Sequence, residues 1–555
     1  MYLRVRPTPF IMSTFLKHFL VTFIFLTTMT YAQSFITQVS EVRLEPKPCT
    51  DMFIKHPLPH NTHAHGDAVT FYDSNGSGVA AGDLDNDGDI DIVLANLKNE
   101  NIILWNEGNL SFRKESLAHG DSRAVNLVDV DGDGWLDIVF TKTLGSLSHW
   151  KNVQGDFQQE ALKGVTRKAY TMAWGDLDRD GDLDLVTASY DSLLEKELRD
   201  TFLFSSGAGV SVFENTPTGF VETRLAEKAQ ALALTLFDID EDGALDILVG
   251  NDFEVPDYAF LNRVGSKGAA EWLETTPFTT TTRNTMSFDV GDIDNDGTPE
   301  LFATDMKPDF GDKKALAAWM PLMEKSYHRK VSSDPQKEEN FLYRREGESF
   351  GNLAYDLNLD ATGWSWSGKF GDLDNDGLLD LYVVNGMMAK DVFAHMPNFE
   401  LVEENRAFRQ TGKGFALASE WGLGATESGR GMTMADLDND GDLDIVVNNL
   451  EAPSVLFENQ LCGGAGLEID LTWLESKNTQ ALGAVLKLQT SAGTLMREVR
   501  SGSGYLSGDP ARVHFGVPEG ATVLGLDILW SDGAGSSLTD LSASTLIKVT
   551  RESGE

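Results

Sequence analysis

Positive charge is scarce in this sequence: 45 Lys and Arg stand against 86 Asp and Glu, a formal net charge of −41 over 555 residues. Phosphate binding needs clustered Lys and Arg, so nucleic acid and anionic membrane surfaces are excluded as partners. Long apolar runs are lacking as well. The conspicuous one, Phe19 to Leu26, is too short and too Thr-rich for a good membrane span, and the polar stretch Arg551 to Glu555 offers no C-terminal one. Catalytic signatures are missing: there is no GxSxG elbow, no HExxH and no phosphate-cradling glycine loop. Cysteine is nearly absent, with only Cys49 and Cys462. At most one disulfide can form.

What is present begins with a globular balance, 41% hydrophobic and 24% charged residues, which excludes a wholly disordered chain. The length exceeds one ordinary core, so a large repeat unit plus a smaller domain is expected. Arg4, Arg6 and Lys17 precede the apolar run, and Thr30-Tyr31-Ala32 supplies a small residue for cleavage, so residues 1–32 read as a secretory signal peptide. Export to an extracellular or periplasmic space follows, with no stable membrane span after cleavage. In that oxidising setting an even cysteine count favours a Cys49–Cys462 bond. One cysteine lies just before, and the other just after, the repeats described next.

One nine-residue pattern, DxDxDGxxD, occurs seven times, beginning at Asp83, Asp129, Asp176, Asp238, Asp292, Asp372 and Asp436. Position 3 is Asp85, Asp131, Asp178, Asp240, Asp294, Asp374 and Asp438; position 5 is Asp87, Asp133, Asp180, Asp242, Asp296, Asp376 and Asp440. Position 9 is Asp91, Asp137, Asp184, Asp246, Glu300, Asp380 and Asp444. Carboxylates at these four positions can converge on one hard cation. The backbone carbonyl of position 7 (Asp89, Trp135, Asp182, Ala244, Thr298, Leu378 and Asp442) adds an oxygen, as Ca2+ coordination demands. The loops hold 32 of the 86 acidic residues, packed closely enough to repel strongly without a cation. Up to seven Ca2+ sites are therefore expected.

An EF-hand opens in the same way but ends in a bidentate Glu at position 12 between two helices. Here position 12 is Leu94, Phe140, Thr187, Val249, Ala303, Val383 and Val447, and β-rich runs follow at once. The loops join strands. Position 2 is always Leu, Ile or Val, an apolar peg for the core, and Gly at position 6 permits the turn. A bare Asp-Gly hairpin turn explains the glycine but not the acid at position 9. Loop starts 46 to 80 residues apart fit one loop per four-stranded unit, the scale of propeller blades. Between loops recur hydrophobic runs ending in Asn, such as Ile103 to Asn106 and Val455 to Asn459, read as third strands serving the core.

These loops and flanking strands resemble the FG-GAP or VCBS repeats of the integrin α-subunit propeller. The tail resembles an ASPIC/UnbV domain through Leu482-Gly483-Ala484, Val499 to Leu506, Val513-His514-Phe515-Gly516 and Leu529 to Gly533. The order of repeats and tail resembles the cartilage acidic protein family. That resemblance implies an all-β protein, a seven-bladed β-propeller with a calcium site in every matching loop, followed by a small C-terminal β-rich domain. The expected limits are 33–66 for an N-terminal closing segment, 67–460 for the propeller with a helical insert near 306–340, and 461–555 for the tail.

Four further features carry weaker expectations. Asp312 to Lys330 reads as a helix with Leu316, Trp319, Met320 and Met323 on one face, kinked at Pro321, either a partner-binding lid or a helix packed beside the blades. His56, His60, His63 and His65 could hold a transition metal. Trp364 and Trp366 read as inter-blade core. His514 and Tyr505 stand as reactive side chains without a supporting constellation. Two functions remain open: an extracellular binding or adhesion module for a protein or glycan ligand, or a propeller hydrolase or lyase acting on extracellular polysaccharide.

Overall fold

The computed structural model describes residues 35–143, 145–192, 208–253, 255–264, 270–311, 313–326, 335–347 and 349–553. The expected signal segment lies outside them. Each aspartate loop links the first two strands of an antiparallel sheet. In the first sheet, Val79–Gly82 leads through the loop to Asp91–Leu94, then to Glu100–Asn106 and Phe112–His119, paired in chain order. The second strands are short β-branched runs buried throughout, as Asp91–Leu94 and Asp444–Asn449 are, because neighbouring sheets cover both faces. The outermost strand is mostly wet: Phe112–His119 buries no residue fully.

Seven sheets of this kind follow one another among the described residues. Their innermost strands lie side by side in sequence, and Gly429–Ala435 of the last packs against Val79–Gly82 of the first, so the array closes on itself. This is an all-β propeller. The last sheet takes its outermost strand, Ile54–Asn61, from the N-terminal side, where it pairs antiparallel with Pro453–Glu458. The closing segment has a second role that the sequence reading missed. Phe35–Arg43 leaves the ring and pairs along its whole length with Thr545–Ser553 in the tail.

The tail is built of two four-stranded sheets, one of which contains Phe35–Arg43. Cys49, between the two N-terminal strands, is bonded to Cys462, between the last propeller strand and the first tail strand. That bond spans 413 residues and ties both ends of the ring to the tail's root.

The insert helix, Lys313–Ser326, runs through Pro321. Its buried face differs from the expected one. Trp319 is buried and stacks on Trp364 with ring centres 5.5 Å apart, while Met320 is exposed and Leu316 only half-buried. The packed residues are Ala318, Trp319, Leu322 and Met323, one step round the helix from the run chosen in sequence. Trp364 thus meets the insert, while Trp366 lies under Arg430 of the neighbouring sheet at 4.3 Å and faces Tyr505 of the tail at 5.1 Å.

Candidate metal centres on one face of the propeller

Local hydrogen bonding shapes each loop before any ion is considered. In the first, the Asp83 carboxylate accepts N–H groups from Asp87 (3.1 Å) and Gly88 (3.0 Å), and Asp87 accepts from Asp89 (2.9 Å). Position 4 sits in the left-handed region in every copy, from Asn375 at φ 54° to Gly132 at φ 75°. Gly at position 6 adopts φ between 84° and 101°, where a side chain is strained. The turn faces its carboxylates toward one point. In four loops an oxygen from each of positions 1, 3 and 9 lies within 4.8 Å of the others: Asp83, Asp85 and Asp91; Asp176, Asp178 and Asp184; Asp238, Asp240 and Asp246; Asp292, Asp294 and Glu300.

The second loop differs. Its gathered group is Asp129, Asp131 and Asp133, and Asp137 at position 9 instead accepts from His149 Nε2 at 3.0 Å. Position 9 has structural work in every loop. Asp91 accepts backbone N–H from Leu84 (3.0 Å) and from Asn106 (2.7 Å), pinning the loop to the end of the third strand; Asp246 does the same with Ile239 and Asn262, both at 2.7 Å. Position-7 side chains point to other business: Asp89 accepts from Asn439 of the neighbouring loop at 2.6 Å, and Asp182 pairs with Lys477 at 3.2 Å.

The charge is poorly compensated. Burial, with the other carboxylates of each loop, pushes Asp83 up to about 6 and Asp91, Asp184 and Glu300 up to about 8. In the last loop Asp440 is pushed up to about 9 by burial and by Asp438 and Asp436. Basic side chains soften this in several loops: Lys151 reaches Asp131 and Asp133, Arg263 reaches Asp240 and Asp242, and Arg409 reaches Asp374 and Asp376. Even so, one carboxylate oxygen each of Asp176, Asp240, Asp374 and Asp438 is buried without a hydrogen-bond partner among the described residues. An orphaned buried carboxylate oxygen among the other carboxylates of its own loop, as at Asp176 and Asp240, fits a hard divalent cation.

The Asn residues that end the third strands, read in sequence as plain core, tie the blades together. Asn152 Nδ2 donates to Leu84 O at 2.7 Å, the position-2 carbonyl of the preceding loop. Asn106 does so to Leu437 O, Asn262 to Leu177 O and Asn459 to Leu373 O, at 2.7 to 2.8 Å. Gln410 and Arg345 fill the same place toward Ile293 O and Ile239 O. Six of the seven aspartate loops are thus latched to a neighbouring blade through the position-2 carbonyl.

The tail lies on this loop face. Thr479 Oγ1 donates to Asp129 at 2.6 Å, Ser476 Oγ to Gly181 O at 2.6 Å, and Arg512 to Gly88 O at 3.1 Å. From it, residues 499–512 enter the centre of the ring. Gly504 N donates to Phe288 O (2.7 Å), Gly508 N to Val79 O (3.0 Å), Ser501 Oγ to Trp174 O (3.1 Å), and Leu506 O accepts from Val125 N (3.2 Å). Tyr505 N and Ser507 Oγ reach Ser367 and Met432 on two further inner strands. Such close backbone approach needs small residues. A Cβ on Gly78 would stand 1.7 Å from Leu506 O. The glycine-serine run Ser501 to Gly504 was the available sequence signal for this plug.

The remaining candidates separate. His56 faces Glu458 (2.7 Å), His63 faces Glu451 (3.0 Å), His65 faces Asp73 (3.0 Å), and His60 is buried against Ala95 O (3.2 Å). Each histidine has its own partner, which leaves no shared centre in their hydrogen bonding. Tyr505 is buried 3.4 Å from the Tyr170 hydroxyl, and His514 Nε2 donates to Gly441 O at 3.1 Å.

A closed ring of antiparallel sheets with an aspartate loop at the same corner of each defines a repeat β-propeller. Sequence comparison supplies the particular kind: the FG-GAP-like repeat family matches residues 83–140, 129–187, 238–303 and 388–447, and the ASPIC and UnbV family matches residues 474–555. The chain carries FG-GAP-like repeats followed by an ASPIC and UnbV domain. No curated protein matches it. Among solved structures it is similar to BBS1N in complex with ARL6DN, soaked with mercury (9% identity, 74% of this chain and 97% of that one, TM-score 0.40). YCF48 bound to D1 peptide shows 7% identity over 75% and 97%, TM-score 0.40. The V. cholerae biofilm matrix protein Bap1 shows 12% identity over 88% and 64%, TM-score 0.28.

Proposed function

We propose that this chain is a secreted, calcium-binding, seven-bladed propeller that serves as an extracellular binding or adhesion module, with calcium in a structural role. The observation that carries the reading is the repeated gathering of three carboxylates within 4.8 Å in loops that hold blade to blade. An ion at that point neutralises buried like charges and stiffens the latched corner of each blade. The Cys49–Cys462 bond suits an oxidising compartment, and no helix among the described residues is long and apolar enough to cross a membrane.

The tail occupies the loop face, so the opposite face and the blade edges are the surfaces offered to a protein or glycan. A protein and glycan array probed with the calcium-loaded chain tests this. Binding that is lost in chelator supports an adhesion module; turnover of a bound polysaccharide would move the protein to the hydrolase or lyase class, and no binding to any class on the array contradicts the reading.

A further inference from the structure

The second strand of each sheet runs away from its aspartate loop, so the links that follow it gather on the face opposite the tail. On that face a cleft of about 1400 Å³ opens between the fourth and fifth sheets. Phe253, Val255 and Pro256 line it from the link between Asp246–Asn251 and Tyr258–Val264, and Thr276 to Thr281 line it from the link that leads to the fifth sheet. The insert helix closes one side, with Trp319 and Leu322 in the wall. A space of this size exceeds an ordinary small-molecule pocket and suits a ligand of several units.

The wall is mixed in character and close to neutral. Its two cations, Lys228 and Arg283, stand with two acids, Asp257 and Glu338. Arg283 lies 3.8 Å from Glu338, and Asp257 accepts from Asn251 N at 2.8 Å and from the Thr285 hydroxyl at 3.0 Å. The rings of Tyr258 and Phe278 are half-buried. Phe278 belongs to a threonine-rich stretch in which Thr276 and Thr279 are exposed and Thr275 and Thr281 half-buried. None of these four hydroxyls has a hydrogen-bond partner among the described residues. Gln230 Oε1 accepts from Ser192 N at 3.0 Å, which leaves its Nε2 without a partner among them as well.

These features select among ligands. An acidic polymer is repelled by a chain of net charge −41 and finds no surplus of cations in this wall. A peptide added as a strand needs a free backbone edge, but Thr281 O already accepts from Lys337 N and Arg283 N donates to Lys337 O, both at 2.9 Å. The wall offers instead hydroxyl and amide groups beside aromatic rings, which match the polar edges and apolar faces of sugars. We propose that this cleft binds a neutral oligosaccharide of several sugars, with Tyr258 and Phe278 against ring faces and the threonine hydroxyls and Gln230 on the sugar hydroxyls. The inference rests on the adhesion reading, to which it gives a ligand class and a place.

Calorimetry tests it by titrating the full, calcium-loaded chain with cellohexaose, mannohexaose, chitohexaose and hexagalacturonate. At least one of the neutral hexaoses binds, about tenfold or more tighter than hexagalacturonate. Tyr258→Ala weakens that binding at least about tenfold, and so does Thr276→Val combined with Thr279→Val, each at an unchanged melting temperature. Should Tyr258→Ala fail to fold, the valine pair decides alone, because both threonines are exposed. Binding of no neutral hexaose, equal or tighter binding of hexagalacturonate, or a hexaose held as tightly by the valine pair as by the original overturns the cleft assignment. Variants that lose capture of a protein but not of a glycan make the cleft a peptide site and overturn it too. The adhesion reading fails separately, when neither proteins nor glycans on an array bind the chain at all.

Discussion

Within each loop the same nine residues do two jobs. Positions 1 and 5 shape the turn through backbone N–H groups, as Asp83 and Asp87 show, while Asp83 also has an oxygen within 4.8 Å of Asp85 and Asp91. Burial beside other carboxylates raises Asp83, Asp176 and Asp184 from 3.8 to between about 6 and 8 in the fold, so without metal the folded state holds protons that the unfolded chain has released. In chelator, the contribution of these groups to stability is therefore full below about pH 4 and is lost as pH rises through about 6 to 8. Calcium reverses the preference by favouring the charged form, so the calcium-induced rise in melting temperature grows over the same window. Melting curves at pH 5 and pH 8, with calcium and with chelator, check both signs. A chelated protein that gains stability between pH 5 and pH 8 contradicts this account. The latch residues make a second residue-scale prediction: Asn152→Ala leaves two buried carbonyls, Leu84 and Leu136, short of a donor and costs about 1–3 kcal/mol in denaturant unfolding.

At the level of elements, what could be read from sequence was what is local in sequence. An aspartate loop, its apolar peg and the strand after it lie within a dozen residues, so the carboxylates, the turn and the strand were all visible. The partner of Asn152 lies 68 residues away in another blade, and the pairing of Phe35–Arg43 with Thr545–Ser553 joins opposite ends of the chain. Neither leaves a periodic signal. The helix was found but misphased, because Leu316 and Met320 sit at the edge of the stripe that Ala318, Trp319, Leu322 and Met323 occupy. The four histidines cluster in sequence along Ile54–Asn61 and just beyond, yet each meets a different partner. The plug was missed for the same reason as the latches. It can be tested directly: Gly78→Ala drives a methyl into the Leu506 carbonyl, so the tail is displaced from the ring. Limited proteolysis should then cut within residues 499–512 much faster than in the unaltered chain, while equal cutting rates would mean that the close contact is not made.

For the molecule as a whole, an acidic chain becomes stable by arranging its charge rather than diluting it. The loops lie at one face of a closed ring, latched to one another, covered by the tail and bracketed by the Cys49–Cys462 bond, which in the loop-entropy picture contributes roughly 6 kcal/mol. The carboxylate clusters, the blade contacts and the tail docking converge on that face, so removal of the proposed ions should loosen blades and tail together. The most direct measurement is the metal content of the purified chain by mass spectrometry, followed by its melting temperature before and after chelation. The account predicts several calcium ions per chain, up to seven, and a melting temperature that falls on chelation and returns when calcium is restored. A chain that carries no calcium and melts at the same temperature with and without chelator would contradict it.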